Sequence, residues 1–176
     1  MKHVTITKKG RGGVKTLKEA RRLAAATGWA RTVKVWAIGN PITWKLESSL
    51  KDPQSGYLVF NKKNDQMPKK DYYLVEFKLQ DQSGLNLSFK SNPMKAFAVK
   101  IWGQQAPPAG YCPPQGSYAD TIYAISCDQS GQSLTIRNDD MTSEYFSFAL
   151  FFDSTSGDQC CDPGGDNQNG NYIFRD

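Results

Sequence analysis

The side chains that perform most enzyme chemistry are sparse in this sequence, which contains a single histidine, His3. A Ser-His-Asp or Cys-His arrangement would need His3 to fold back from a basic N-terminal segment onto the rest of the chain. A zinc site rich in histidine is disfavoured for the same reason, because only one imidazole is available. No pair of carboxylates has a spacing that indicates acid–base catalysis. The sequence therefore predicts a protein that is not an enzyme.

The four cysteines do not follow a metal-binding pattern. They are Cys112, Cys127, Cys160 and Cys161. No C-x-x-C spacing occurs, so the two knuckles of a four-cysteine zinc site are missing. A reducing cytosol would keep the cysteines as thiols, whereas export would allow a Cys112–Cys127 disulfide. A bond between the adjacent Cys160 and Cys161 is disfavoured by strain. Their redox state is left open by the sequence.

An acidic segment near the C-terminus carries the candidate metal ligands Asp158, Asp162 and Asp166. Calcium prefers several carboxylate and carbonyl oxygens on a flexible loop, and Gly164 and Gly165 would allow a tight bend there. The spacing does not match an EF-hand, and clusters of Asp, Asn and Gly also form ordinary turns. We therefore predict no bound cofactor, with calcium in this segment as the alternative.

Two aromatic residues beside a proline-rich loop are candidates for a ligand surface. The loop runs from Gly103 to Ala119 and contains four prolines. Long connections without regular structure are often functional. Trp102 precedes this loop and Tyr111 lies within it, whereas most other aromatic residues are expected to pack within sheets. The sequence predicts that Trp102 and Tyr111 contact a ligand.

The positive charge is concentrated at the N-terminus. Residues 1–34 hold ten of the 22 Lys and Arg residues and one acid, which gives +9, whereas the remaining residues carry −4. The candidate polyanion-binding residues are Lys8, Lys9, Arg11, Lys15, Arg21 and Arg22. Such a segment could neutralise the phosphates of a nucleic acid. A solvated basic face is the alternative interpretation.

Hydrophobic periodicity predicts the elements that position these groups. Thr16 and Glu19 have the spacing of a capping box, and apolar residues at helical spacing continue to Gly28. This pattern predicts a short helix within a basic segment of residues 1–30. From Arg31 the period changes to two, which is typical of strands.

Nine strands are predicted after this change of period. They begin with an alternation from Arg31 and continue at Ile42–Glu47, Tyr57–Phe60, Tyr72–Leu79, Leu85–Phe89, Ala96–Trp102, Thr121–Cys127, Leu134–Arg137 and Tyr145–Phe152. Clusters of Gly, Pro, Asn, Asp and Ser separate them. A last edge strand is predicted at Asn171–Phe174. The pattern predicts an antiparallel β-sandwich, jelly-roll or immunoglobulin-like, over residues 31–176.

The composition is that of a folded protein, with 39% hydrophobic and 12% aromatic residues. Burial on this scale can offset the entropy lost on ordering the chain. No run of about 18 apolar residues and no secretory signal pattern is present. We therefore expect no membrane association and a cytoplasmic location.

Four stretches carry a family resemblance: Asp120–Tyr123, Leu134–Asn138, the aromatic strand Tyr145–Asp153, and Asp162-Pro163. On these residues the chain from about Arg31 onward resembles the DP-EP family of small bacterial β-sandwich proteins, and more remotely the AidA and PixA inclusion-body proteins. The resemblance implies a bacterial protein with a jelly-roll-like fold and no established activity. It implies no catalytic residues.

These observations predict a non-enzymatic β-sandwich module that binds a protein partner or self-associates through its loops and aromatic edges. One alternative is a nucleic-acid-associated protein that uses residues 1–34. A second alternative is a calcium- or carbohydrate-binding module that uses the acidic C-terminal loop.

Overall fold

The computed structural model describes residues 29–68, 71–161 and 164–167. The predicted N-terminal helix, the six candidate polyanion-binding residues and the predicted strand at 171–174 lie outside these ranges. Within them the chain is mostly β, as predicted. The elements are β1 (Ala30–Ile38), β2 (Thr43–Glu47), β3 (Leu58–Phe60), β4 (Tyr73–Gln82), β5 (Ser88–Phe89), a short helix α1 (Pro93–Ala96), β6 (Phe97–Gly103), β7 (Ile122–Cys127), β8 (Ser133–Asn138), β9 (Glu144–Asp153), β10 (Gln159–Cys161) and β11 (Gly164–Asn167).

The strands form two sheets. The first sheet has five strands in the order β2-β1-β4-β8-β7. The second sheet has six strands and is organised around β9, which pairs with β5 and β6 on one edge and with β10 and β11 on the other, while β11 pairs in turn with β3. The longest strands, β4 and β9, therefore lie inside the sheets and not at their edges.

Two of the strand pairs are parallel, which corrects the expectation of purely antiparallel sheets. β1 runs parallel to β4, from Ala30 opposite Leu74 to Ile38 opposite Gln82. β11 runs parallel to β3, from Gly165 opposite Leu58. Parallel neighbours need a long crossover, and the segment between β1 and β4 supplies one because it contains β2 and β3. Alternation along a strand does not encode the direction of its neighbour, so the expectation was wrong.

Each of the nine predicted strand regions contains a strand. The structure adds β10 and β11, which lie in the acidic segment that was predicted to be loop. Gly164 and Gly165 belong to β11 and do not form the tight bend expected between the acidic residues. They pair with Ser147 and Phe146 of β9, so the second sheet continues into this segment.

Aromatic side chains of the two sheets contact one another in the core. Phe77 of β4 lies 5.6 Å from Phe148 of β9, measured between ring centroids. Trp44 of β2 stacks on Phe152 of β9 at 4.9 Å. Aromatic pairs at these distances add to the stability gained by burial.

Among the described residues, no helix has the length and hydropathy that a membrane-spanning helix needs.

Candidate functional site

The two aromatic residues selected from the sequence lie in contact. Trp102 is on β6 and Tyr111 is in the loop that follows, and their ring centroids are 4.9 Å apart with an interplanar angle of 87°. This is the edge-to-face arrangement that aromatic pairs prefer. The indole Nε1 of Trp102 donates to Ser147 Oγ on β9 at 3.0 Å. These contacts fix the orientation of the two rings. Both rings are half-buried, so part of each lies at the surface.

Lys100 adds a positive charge to this pair, and the sequence reasoning missed it. Its Nζ lies 4.2 Å from the ring centroid of Trp102 and 5.1 Å from that of Tyr111. Lys100 and Trp102 share a face of β6 because side chains alternate along a strand, and this spacing was visible in the sequence. At an exposed position, a cation over an aromatic ring is worth about 0.5–1 kcal/mol.

The ammonium of Lys100 has no carboxylate neighbour among the residues that the structure describes. The ion pairs found there join other lysine and arginine side chains to Asp or Glu. We call Lys100, Trp102 and Tyr111 the Lys100 cluster. It presents an exposed cation that is held by aromatic rings and not by an anion of the described part of the chain.

Small, buried side chains lie on the outer face of the second sheet, at the centre of β6 and β9. Ala98 of β6 is paired with Ala149 of β9, and both are 0% exposed. Ser147, two residues earlier on β9, is 3% exposed. Pro113 in the loop is also buried. Side chains of this size allow a loop to lie close against a sheet.

The loop reaches from one edge of β9 to the other. Midway along the loop, Tyr111 contacts Trp102 on β6. One residue later, Cys112 Sγ lies 3.1 Å from Cys160 Sγ on β10. β6 and β10 flank β9 on opposite edges, since Leu150 of β9 is paired with both. These two contacts hold Tyr111 in position over the sheet.

The cysteine geometry corrects the pairing that was considered from the sequence. Cys112 contacts Cys160, whereas Cys127 is buried at the end of β7 and donates to the carbonyl oxygen of Lys90 at 3.1 Å. Burial raises the pKa of the Cys127 thiol to about 12. Cys160 and Cys161 alternate on β10, so Cys161 joins the core. A Cys112–Cys127 disulfide is therefore not supported.

We expect iodoacetamide at about pH 8 to alkylate Cys112 quickly in the native protein and Cys127 only after denaturation. The thiolate is the reactive form. Cys112 is exposed, whereas a pKa of about 12 leaves on the order of one in ten thousand Cys127 thiols ionised at that pH. Sequential labelling with light and heavy reagent, followed by peptide mass spectrometry, measures both rates. The guanidinium-unfolded protein is the control, and rapid native labelling of Cys127 would contradict its burial.

The acidic residues proposed as calcium ligands are only partly covered by the structure. Asp158 Oδ1 lies 2.5 Å from Lys90 Nζ, and Asp153 Oδ1 lies 2.6 Å from the same atom. Hydrogen bonds to Asp153 and Asp158 raise the pKa of Lys90. Asp162 lies outside the described residues, and Asp166 is placed on β11 by its backbone pairing. In the described ranges no three His, Cys, Asp or Glu side chains group as a metal site, so calcium stays a prediction.

An open cleft of about 670 Å³ lies beside β1 and β3. Its polar lining residues are Arg31, Ser49, Lys51, Asp52, Asn61, Asn64 and Asp65. Arg31 Nη2 lies 3.2 Å from Asp65 Oδ2, which also accepts a hydrogen bond from Tyr73 Oη at 2.5 Å. Charges of both signs line the cleft, so its lining does not favour a charged ligand of one sign.

The fold and the site define a mostly β protein with an aromatic and cationic surface on one sheet. No protein-family model matches the chain, and no curated protein matches it in sequence. The resemblance to the DP-EP family therefore stays a prediction.

Proposed function

We propose that this chain is a non-enzymatic β-sandwich protein that binds an acidic protein surface through the Lys100 cluster. The observation that carries the proposal is the ammonium of Lys100, held 4.2 Å and 5.1 Å from two ring centroids without a carboxylate neighbour among the described residues. A partner carboxylate would meet a cation that is already oriented, and the exposed ring edges would add apolar contact. The partner is a second copy of this chain or another protein.

The sandwich part of the proposal is supported by ring contacts between the two sheets. Phe77 and Phe148, and likewise Trp44 and Phe152, join residues from opposite sheets. Both jelly-roll and immunoglobulin-like variants remain proposals. The DP-EP resemblance, a bacterial origin and a cytoplasmic location belong to the same proposal and rest on the sequence alone.

The arrangement of the rings favours a protein partner over a carbohydrate. Sugars are bound by stacking on an open aromatic face. Here the ammonium of Lys100 lies over the ring of Trp102, and Tyr111 meets that ring edge to face. The nucleic-acid alternative rests on residues 1–34 and the calcium alternative on the acidic segment, and no contact in the described residues favours either.

Lys100→Glu is expected to weaken binding of a glutamate-rich peptide at least about tenfold, because it replaces the attracting charge by a repelling one. Chemical-shift titration of the ¹⁵N-labelled protein measures the affinity and should move resonances around Lys100, Trp102 and Tyr111. Sedimentation velocity of the protein alone tests a second copy as partner. Both interactions should weaken as salt is raised, since the cation is exposed.

Lys45→Glu is the matched control, because Lys45 is an exposed strand lysine on the first sheet. The peptide affinity of this variant should stay within about twofold of the unmodified protein. An equal loss in both variants would show general charge attraction and contradict the assigned site. A monomer whose Lys100 and Tyr111 resonances do not respond to the peptide would contradict the proposed function.

A further inference from the structure

Lys62, Asn138 and Asp140 form a buried polar group where the two sheets meet. Each is 0% exposed. Lys62 follows Phe60, the last inward residue of β3, by two positions. Asn138 follows Ile136 by two positions on β8, and Ile136 is also buried. The carboxamide enters from β8 of the first sheet, because side chains alternate along a strand. The amine enters from the turn that follows β3 of the second sheet.

The contacts within this group orient the reactive atoms. Lys62 Nζ donates to the backbone carbonyl of Asp139, the residue between Asn138 and Asp140. The backbone N–H of Asp140 donates to Asn138 Oδ1 at 2.9 Å. A fixed N–H at that oxygen polarises the carboxamide and would stabilise negative charge that develops on it.

The backbone of Asp140 has an unusual conformation. Its φ is 42°, in the left-handed region that few residues other than glycine occupy. Such conformations persist where the surrounding structure holds them, and they concentrate at functional positions. Asp140 directly follows Asp139, whose carbonyl oxygen accepts the hydrogen bond from Lys62 Nζ, and the charge of Asp140 acts to raise the pKa of Lys62.

Apolar residues shield the group from water. Asn138 is paired with Tyr73 of β4 and with Ile122 of β7, and both of these are 0% exposed. The ring of Phe60 lies 5.1 Å from that of Tyr73. Burial lowers the pKa of Lys62, which favours the neutral, nucleophilic amine.

We propose that Lys62 and Asn138 form an intramolecular isopeptide bond, with Asp140 transferring the protons. Lys62 Nζ forms a bond to Cγ of Asn138, the bond from Cγ to Nδ2 breaks, and Nδ2 leaves as ammonia. Asp140 accepts a proton from the attacking amine and returns one to the leaving nitrogen. One amine and one primary amide give one secondary amide and ammonia, so the step needs neither an oxidant nor a cofactor.

The bond would also remove an unfavourable feature of the core. A buried ammonium and carboxylate lose hydration, and their mutual attraction often fails to compensate for that loss. Conversion of the amine to an amide removes the positive charge and links the two sheets covalently. This inference is independent of the proposed binding function, because the Lys100 cluster uses other residues.

Intact-mass measurement of the purified full chain tests the proposal. The mass should be lower than the mass of the sequence by one ammonia, about 17 Da. Peptide mapping should find a branched peptide that joins Lys62 to Asn138, with no tryptic cleavage after Lys62. Lys62→Met, Asn138→Ala and Asp140→Asn should each retain the full mass. Asparagine can also lose ammonia by forming a succinimide, and the Lys62→Met variant separates the two events.

Lys63→Met and Asn64→Ala are the matched controls, since both residues are exposed in the turn that contains Lys62. Both variants should still lose one ammonia. Two results would overturn the proposal in the unmodified protein itself. One is the full sequence mass with unlinked peptides. The other is the loss of one water, about 18 Da, with Lys62 joined to Asp140, which would exclude Asn138 as the acyl partner.

Discussion

Phe148→Ala is expected to lower the free energy of unfolding by about 4 kcal/mol. Phe148 is 1% exposed in the centre of β9. Its ring lies within 5.6–6.1 Å, between centroids, of three other rings, those of Phe77, Phe97 and Phe146. Truncation removes the buried ring and leaves a cavity between the sheets. Denaturant unfolding should show a lower midpoint at an unchanged m value.

Phe151→Ala is the control for this variant, because Phe151 lies on the opposite face of the same strand and is only half-buried. We expect a loss of about 1–2 kcal/mol, since less apolar area is removed from contact. The two substitutions delete the same atoms, so any difference between their losses in free energy of unfolding shows which of the two rings lies on the buried face of the sheet. Equal losses would contradict the inward orientation of Phe148.

The face that each strand buries could be predicted from the sequence, and β9 shows why. Phe146, Phe148, Leu150 and Phe152 alternate with other residues, and all four are at most 2% exposed. A shift of one residue would move the whole apolar set to the other face, so burial fixes the alternation. The same argument holds for Val33, Val35 and Ala37 on β1, each 0% exposed.

The pairing of β10 and β11 could not be predicted in this way. Gln159–Cys161 and Gly164–Asn167 have the composition of turns, with little intrinsic preference for strands. They become strands because one edge of β9 offers unpaired backbone groups, to which both segments bind. That edge exists only after the sheet has formed, so no local sequence pattern predicts that β10 and β11 pair with it.

Part of each candidate site was visible in the sequence. Trp102 precedes a long proline-rich loop, and Tyr111 lies within it. Lys100 lies on the same face of β6 as Trp102. The contact between Cys112 and Cys160 joins residues far apart in the chain, and no spacing predicts it. Such contacts depend on how a loop crosses the sheet, which tertiary packing decides.

Asn138 could have been found from the strand pattern, because it lies two positions beyond Ile136 on β8, where alternation still directs the side chain toward the core. Lys62 could not, because it lies in the turn after β3, where the period of a strand no longer applies. A polar residue at an inward position is informative, because buried polar groups need partners. The sequence could not show that the two positions face each other, since that depends on how the sheets pack.

Gly165→Ala is expected to lower the free energy of unfolding by about 3 kcal/mol. A Cβ on Gly165 would lie 2.1 Å from Cζ of Phe146, which is closer than any van der Waals contact. The ring of Phe146 cannot move aside easily, because it is 2% exposed and lies between the rings of Phe60 and Phe148, each 6.1 Å away. β11 should therefore separate from β9, or Phe146 should leave its packed position.

Gly56→Ala is the control, because it measures the free energy of unfolding that is lost through backbone conformation alone. Gly56 has a φ of +75°, and no atom lies within 4 Å of an added Cβ. That variant should lose about 1 kcal/mol from the strained conformation alone. Denaturant unfolding of both variants gives the difference. Amide hydrogen exchange over Glu144–Ser147, where alternate N–H groups face β11, reports whether β11 has separated from β9. If Gly165→Ala costs no more than Gly56→Ala, then β11 does not lie against Phe146, and the acidic segment is the loop that its composition predicts.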